Sequence, residues 1–312
     1  MIWLALLLLA VFAAPFVYER YKPQMSDGRR GSAPGKFAEL EGGVTHYHLS
    51  GPETGPLVVL IHGLTTPSFV WTAIARGLAV RGFRVLAYDL YGRGFSDRPG
   101  GVEDKGFFLA QLDALLAHLD ITTPFHLVGY SMGGAIAAGF TAAQPERVDR
   151  LVLIAPAGMS VPDTPTLRFI RDRGLLGTWA MLALYPRALR QGIRAERDLA
   201  SAVPGIADLQ RAQLDFRGFV PAVLASLRGI LARPMEGEHL AIHRNGLPVL
   251  AIWGEDDTVI PTSSMGQLAA WNRHVRHDVI ADAGHGLPYT HASEVTERIT
   301  AFLPAPAAPL AD

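Results

Sequence analysis

Apolar and polar positions follow an alternating pattern along most of the chain after residue 37. Short, continuous apolar runs are typical of strands buried on both faces of a parallel sheet. Longer segments between them have the apolar spacing of amphipathic helices. The predicted buried strands are 56–63, 83–90, 125–130, 148–156, 247–254 and 275–282, and the predicted helices are 70–82, 107–119, 132–144, 263–272 and 294–303. This alternation predicts an α/β fold with a mostly parallel central sheet flanked by helices.

Two features modify this pattern. Residues 44–51 alternate and predict an exposed antiparallel strand. Residues 158–240 contain no strong buried-strand pattern and instead show helical pieces broken by Pro and Gly. We therefore expect one core formed by 37–157 and 241–303, interrupted by a helical insertion, with a loose tail at 304–312.

Residues 2–18 of the N-terminal segment, 1–18, include no charged side chain. The predicted linker that follows, 19–36, is polar and basic. The apolar length suits a short membrane-spanning helix and also the core of a signal peptide. No Lys or Arg precedes it, and Arg20 and Lys22 follow it, which favours an anchor with a cytoplasmic domain. Cleavage and export, or a helix lying on a membrane or on the protein itself, are the alternatives.

Composition narrows the function further. The chain has 312 residues, a net charge of −1 and no cysteine. It has no basic excess to neutralise nucleic-acid phosphates, so we expect no nucleic-acid partner. The lack of cysteine excludes disulfides, thiolate metal ligands and a cysteine nucleophile.

The segment GYSMGG, 129–134, places Ser131 between a predicted strand and a predicted helix. Gly129 and Gly133 leave room for the sharp turn of a nucleophile elbow, which exposes a serine hydroxyl at the edge of a sheet. The N-terminal amides of the next helix favour negative charge, so the Met132 N–H is a candidate oxyanion donor. Gly-x-Ser-x-Gly alone is common by chance, and a merely well-packed turn is the alternative.

A second oxyanion donor is expected from the loop after an earlier strand. The strand 56–63 ends in His62-Gly63-Leu64, and Gly63 would let the backbone approach a reacting oxygen. The Leu64 N–H is therefore the second candidate. His62 is interpreted as a structural ring that hydrogen-bonds this loop rather than as a catalytic base.

A serine nucleophile also needs a base and an acid that orients it. His285 lies in the flexible segment Gly284-His285-Gly286 after the last predicted strand, and Asp257 follows the strand before it, with Asp256 as the alternative acid. Glu255 completes an acidic run, Glu255-Asp256-Asp257, at which we expect no metal.

Together, these segments resemble the α/β-hydrolase superfamily over about residues 37–303. The motifs that carry the resemblance are HGL at 62–64, DLYGRGFSDRP at 89–99, GYSMGG at 129–134, WGEDDTVIP at 253–261 and AGH at 283–285. The resemblance implies a Ser131–Asp257–His285 triad, a structural role for Asp89 in its turn, and a cap over the substrate pocket at 158–240. Within the superfamily, the chain is similar to monoacylglycerol lipases and related carboxylesterases.

We therefore expect a serine hydrolase that cleaves a small-molecule or lipid ester, needs no cofactor or metal, and is held at a membrane by its N-terminal segment. The apolar stretch 175–186 either packs on the core or forms an entrance for an acyl chain. Hydrolysis of another bond, such as the C–C bond of a diketone or a lactone, and ligand binding without turnover are the alternatives.

Overall fold

The central sheet of the computed structural model, which describes residues 1–31, 33–161 and 164–306, has eight strands. Their spatial order is β1-β2-β4-β3-β5-β6-β7-β8. Strands β1 and β2 form an antiparallel hairpin at one edge, β2 pairs antiparallel with β4, and the remaining strands are parallel. The strands are β1 (Lys36–Leu40), β2 (Gly43–Ser50), β3 (Leu57–Ile61), β4 (Arg84–Tyr88), β5 (Phe125–Tyr130), β6 (Val148–Ile154), β7 (Val249–Gly254) and β8 (Val275–Ile280).

Helices cover both faces of this sheet because successive strand residues point to opposite sides. On one face, Val59 and Leu127 pack in an apolar core with four helices: α4 (Lys105–His118), α5 (Met132–Ala143), α10 (Glu236–Arg244) and α11 (Ser264–Trp271). On the other face, Val58 and Val128 pack with α3 (Thr72–Val80), the short helix α12 (Leu287–Thr290) and α13 (Ala292–Phe302). The mostly parallel α/β sheet expected from the alternating pattern is confirmed.

Between β6 and β7 the chain forms a helical segment, defined here as residues 164–232. It contains α6 (Pro165–Asp172), α7 (Gly174–Ala195), α8 (Ile206–Ala212) and α9 (Phe219–Arg228). Helices α6, α7 and α9 share a small apolar core of their own, which includes Met181, Phe219 and Val223. Helix α10 starts inside the predicted insertion 158–240, but its Ile242 is buried in the sheet core.

The N-terminal part of the chain lies closer to the body than a free linker would. Helix α1 (Ile2–Tyr21) extends into the predicted linker 19–36, which also contains the short helix α2 (Asp27–Arg30). Phe12 of α1 stacks on Trp179 of α7, and the Glu19 carboxylate accepts a hydrogen bond from the Gly218 N–H at 2.7 Å. The end of α1 is therefore packed against the helical segment.

Two local expectations differ from the structure. Strand β1 lies where no strand is predicted from the sequence. The strand expected to be exposed at 44–51 is antiparallel, but Thr45, His46 and Tyr47 are buried, because β1 and the loop after β4 cover it. His46 is thus an interior residue. Residues 307–312 of the predicted tail lie outside the described residues.

Candidate active site

Four loops that carry the candidate residues meet at one edge of the sheet. They follow β3, β5, β7 and β8, and the carboxyl ends of parallel strands lie at the same edge. Leu64, Ser131, Asp257 and His285 come from these loops in that order. Residues separated by more than two hundred positions thereby reach one site.

Ser131 joins β5 to α5 in a sharply bent backbone with a φ of 54°. The turn is possible only with small neighbours: a Cβ on Gly129 would lie 2.3 Å from the Gly133 carbonyl oxygen. A Cβ on Gly133 would lie 2.2 Å from the Ile61 carbonyl oxygen. Positive φ is costly for a residue other than glycine, so the elbow stores backbone strain at Ser131.

A continuous chain of hydrogen bonds connects the three side chains. His285 Nε2 lies 3.0 Å from Ser131 Oγ, and His285 Nδ1 lies 2.8 Å from Asp257 Oδ2. The other carboxylate oxygen, Oδ1 of Asp257, accepts the Val259 and Ile260 N–H groups, both at 2.8 Å. Asp257 is buried, whereas Asp256 is exposed, so the structure selects Asp257 as the partner of His285.

Two backbone amides next to Ser131, those of Leu64 and Met132, are the candidate oxyanion donors. Within the part of the chain that the structure describes, neither the Leu64 N–H nor the Met132 N–H donates a hydrogen bond to a protein group. The Met132 amide is the first of α5, where the positive end of the helix dipole lies. Met132 follows Ser131 in the sequence, and Leu64 lines the same cavity as Ser131.

His62 orients one of these amides. The Leu90 N–H donates to His62 Nε2 at 2.9 Å, which leaves the ring proton on Nδ1, and Nδ1 donates to the Gly63 carbonyl at 2.7 Å. That carbonyl belongs to the same peptide unit as the Leu64 N–H. Burial lowers the pKa of His62 to about 4, so the ring is neutral at pH 7. The structural role expected for His62 agrees with these contacts.

Asp89 shapes the neighbouring turn. Its carboxylate accepts the Ser68 N–H at 2.8 Å and the Phe95 N–H at 2.9 Å, and it pairs with His46 Nδ1 at 2.7 Å. Burial lowers the pKa of His46, but the hydrogen bond and charge of Asp89 outweigh burial and the net shift is upward. Asp89 is therefore held by groups of β2, of the segment after β3 and of its own loop, and it is not part of the cavity over Ser131.

A cavity of about 300 Å³ opens directly over Ser131. One side is formed by α7 through Tyr185, Leu189 and Ile193. Polar groups occupy another side, where the Tyr289 hydroxyl donates to the Glu196 carboxylate at 2.8 Å and Gln210 donates to the Thr66 hydroxyl at 3.0 Å. The full lining is Gly63, Leu64, Thr65, Thr66, Tyr130, Ser131, Tyr185, Leu189, Gly192, Ile193, Glu196, Gln210, Val259, His285 and Tyr289.

Sequence reasoning missed most of this lining. Glu196 and Gln210 belong to the helical segment and have no motif around them, so only their position in the fold brings them to the pocket. No group of three or more His, Asp or Glu side chains suited to a metal ion occurs among residues 1–31, 33–161 and 164–306.

The sheet, the elbow and the Ser131–His285–Asp257 arrangement define the class of protein. The chain matches the family model of the alpha/beta hydrolase fold over residues 56–292 and belongs to the α/β hydrolases. At 30% identity over 279 residues, which cover 83% of this chain and 90% of the relative, it is similar to a 2-hydroxymuconate semialdehyde hydrolase from Pseudomonas sp. strain CF600.

Two solved structures are similar in fold. A thermophilic esterase from Thermogutta terrifontis has a TM-score of 0.69 at 24% identity, and the match covers 86% of this chain and 97% of that chain. A membrane phospholipase A, described as a bacterial virulence factor, has a TM-score of 0.70 at 24% identity and covers 96% of this chain and 95% of that chain. At such identities these likenesses support the fold alone.

Proposed function

We propose that this α/β hydrolase is a serine hydrolase of carboxylic esters, similar to monoacylglycerol lipases. The observation that carries the proposal is the chain of hydrogen bonds from Ser131 Oγ through His285 to the buried Asp257. Nucleophile, base and orienting acid are at hydrogen-bond distance in the arrangement that activates a serine.

In the proposed mechanism, His285 Nε2 takes the Ser131 proton as Oγ attacks the ester carbonyl. Asp257 holds the Nδ1–H tautomer and stabilises the imidazolium that forms. The Leu64 and Met132 amides receive the oxyanion. His285 then donates its proton to the leaving alcohol, and a water activated by the same ring releases the acid from the acyl-enzyme.

The charge of the pocket favours a neutral substrate. Glu196 contributes a carboxylate, and no Lys or Arg is among the described residues that line the cavity. A carboxylate-bearing substrate, such as the muconate in the name of the relative from Pseudomonas, would meet a like charge without a cation to bind it. The apolar side of α7 offers an acyl chain a surface to bury.

Helix α1 is the feature that supports a place at a membrane. Among the described residues, α1 is the single helix that is long and apolar enough to cross a bilayer. Its N-terminal leucines are exposed, whereas its end packs on the helical segment. We propose that α1 anchors the domain, and that the helical segment acts as the cap of the pocket. The basic residues after α1 favour a cytoplasmic domain.

The test is labelling by a fluorophosphonate combined with turnover of neutral esters from two to sixteen carbons. Ser131→Ala should abolish labelling and reduce kcat by roughly 10³-fold or more, because only oxyanion and binding effects remain. Wild-type protein that labels and turns over medium or long chains would support a lipid esterase. A folded wild type that neither labels nor turns over esters would contradict the proposal and favour a ligand-binding role.

Cleavage of a C–C bond is the second candidate, because the relative from Pseudomonas is 30% identical over most of its length. A vinylogous diketone acid beside a matched neutral ester separates the two. We expect kcat/KM to favour the ester in wild-type protein. Preference for the diketone acid would replace the ester proposal with C–C hydrolysis on the same triad.

A further inference from the structure

Arg93 is a fully buried arginine outside the triad, in the loop between β4 and α4. All five of its N–H donors have acceptors. Nε donates to the Leu64 carbonyl at 3.1 Å, Nη1 to the Tyr91 carbonyl at 2.9 Å and Glu103 at 2.5 Å, and Nη2 to the Ala222 carbonyl at 3.2 Å and Ser226 Oγ at 2.8 Å. Such complete use of a guanidinium fixes its position tightly.

The Nε bond of Arg93 and the ring of His62 hold consecutive carbonyl groups of the loop after β3. His62 holds the Gly63–Leu64 peptide through the Gly63 carbonyl, and Arg93 holds the next peptide through the Leu64 carbonyl. Two consecutive peptide planes on either side of the Leu64 Cα are thus restrained. The direction of the Leu64 N–H depends on both restraints, because only φ and ψ connect the planes.

The other four donors anchor Arg93 to rigid groups. Glu103 also accepts a hydrogen bond from the Ser226 hydroxyl at 2.5 Å. Ser226 of α9 therefore contacts both members of the Arg93–Glu103 ion pair. Ala222 and Ser226 both belong to α9, which packs against α7 in the helical segment. A Cβ on Gly92 would lie 2.4 Å from the Ala222 Cβ, which shows how closely this loop packs on the helix.

We propose that Arg93 is a positioning residue for the oxyanion hole: it holds Leu64 so that its N–H faces the carbonyl attacked by Ser131, and it connects that amide to α9. The inference rests on the proposed function, since it assigns a role to a neighbour of the same site. Arg93 touches neither the triad nor the reacting atoms, and it acts through Leu64 alone.

Arg93→Lys separates this role from a structural one. A lysine keeps a positive charge opposite Glu103, and its terminal donors can still reach α9. It has no donor along its stem at the position of Nε, so the bond to the Leu64 carbonyl is lost. Arg30→Lys is the matched control: Arg30 is buried, donates to the Phe95 carbonyl at 3.1 Å and pairs with Asp97, but does not contact Leu64.

The measurements are kcat, KM, the second-order rate of fluorophosphonate labelling and the melting temperature of the full-length chain. For Arg93→Lys we expect kcat and the labelling rate to fall about 10- to 100-fold, because an entire oxyanion donor is worth about 10²- to 10³-fold. KM should stay within about threefold, since the pocket walls are unchanged. Arg30→Lys should lower only the melting temperature.

Kcat and labelling rate within twofold of wild type in folded Arg93→Lys would overturn the inference, whatever the melting temperature. If that variant does not fold, Arg93→Met with Glu103→Gln removes both charges of the pair, and the same limits apply to it. Labelling needs no turnover, so a wild type that labels without hydrolysing esters contradicts the proposed function and still decides the role of Arg93.

Discussion

Asp257 shows how much of the proposed chemistry depends on single atoms. Its two carboxylate oxygens have separate partners: one accepts two backbone N–H groups of its own loop, and the other faces His285 Nδ1. The loop therefore orients the carboxylate, and the carboxylate orients the imidazole. Asp256, the adjacent acid, is exposed and donates its backbone N–H to the Ala283 carbonyl.

Asp257→Asn tests the separate roles of the two carboxylate oxygens. The amide oxygen of Asn can keep the contacts with the loop amides, so its NH₂ group faces His285 Nδ1. This contact favours the His285 tautomer with its proton on Nε2, which cannot accept the Ser131 proton. We expect kcat to fall by roughly 10³- to 10⁴-fold in ester hydrolysis, with little change in the melting temperature. Asp256→Asn should stay within about twofold of wild type. Equal losses in both variants would refute the assignment of Asp257.

At the scale of elements, α1 and the helical segment form one surface. Phe12 stacks on Trp179 with ring centroids 6.3 Å apart, and the Pro23 carbonyl accepts the Arg217 N–H at 2.9 Å. Near this contact, Leu175 and Leu176 at the start of α7 are exposed. Because burial of such leucines in a bilayer is favourable, the start of α7 would lie near the membrane in the proposed arrangement.

Leu7→Glu combined with Leu8→Glu tests the anchor in the full chain. Two carboxylates within the apolar stretch make membrane insertion unfavourable by several kcal/mol. We expect the variant to move from the carbonate-resistant membrane fraction to the supernatant, with kcat for a short soluble ester within about twofold. Val80→Glu, an exposed position on α3, is the control and should remain with the membrane. Retention of the double variant would show that another surface binds the membrane.

At the scale of the whole molecule, buried neutral histidines couple stability to pH. His239 lies between α10 and α11, stacked on Trp271 with ring centroids 6.1 Å apart, and neither ring nitrogen has a hydrogen-bond partner within the described residues. Burial lowers its pKa to about 4, as it does for His62. Because the unfolded chain takes up these protons near pH 6.5, stability is complete above that pH and falls as pH decreases toward 4.

His239→Phe should remove one part of this dependence. The lost contribution is about 3 kcal/mol over the full range from pH 6.5 to 4, and the phenyl ring can keep the stacking on Trp271. We expect a melting temperature equal to or above that of wild type at pH 7.5, and a larger advantage at pH 5. Activity should be unchanged, since His239 is remote from the pocket. An identical pH dependence of both proteins would mean that His239 is already protonated or hydrated when folded.

Elements whose cause is local could be predicted from the amino-acid sequence. Continuous apolar runs specify buried strands because both of their faces need cover, and the alternation with helices specifies a parallel sheet. The elbow around Ser131 could also be predicted, because the sharp turn needs residues without a side chain at positions 129 and 133. Both positions are glycine, and a Cβ at either one would clash with backbone atoms. Ser131, Asp257 and His285 each stand in a loop after a predicted strand, which is why these three residues could be named from the sequence.

Which distant groups meet depends on the packing of the whole chain and could not be predicted from the sequence. Arg93 and Ser226 are 133 positions apart, and Glu196 and Tyr289 are 93 apart, with no pattern in the sequence to pair them. The same holds for His46, which is polar in sequence but interior because β1 and the Asp89 loop close over it. Sequence patterns for strands and turns extend over a few residues. Burial and hydrogen-bond partners depend instead on how the sheet and the helices pack together, and that packing forms the pocket and the hydrogen bonds that support it.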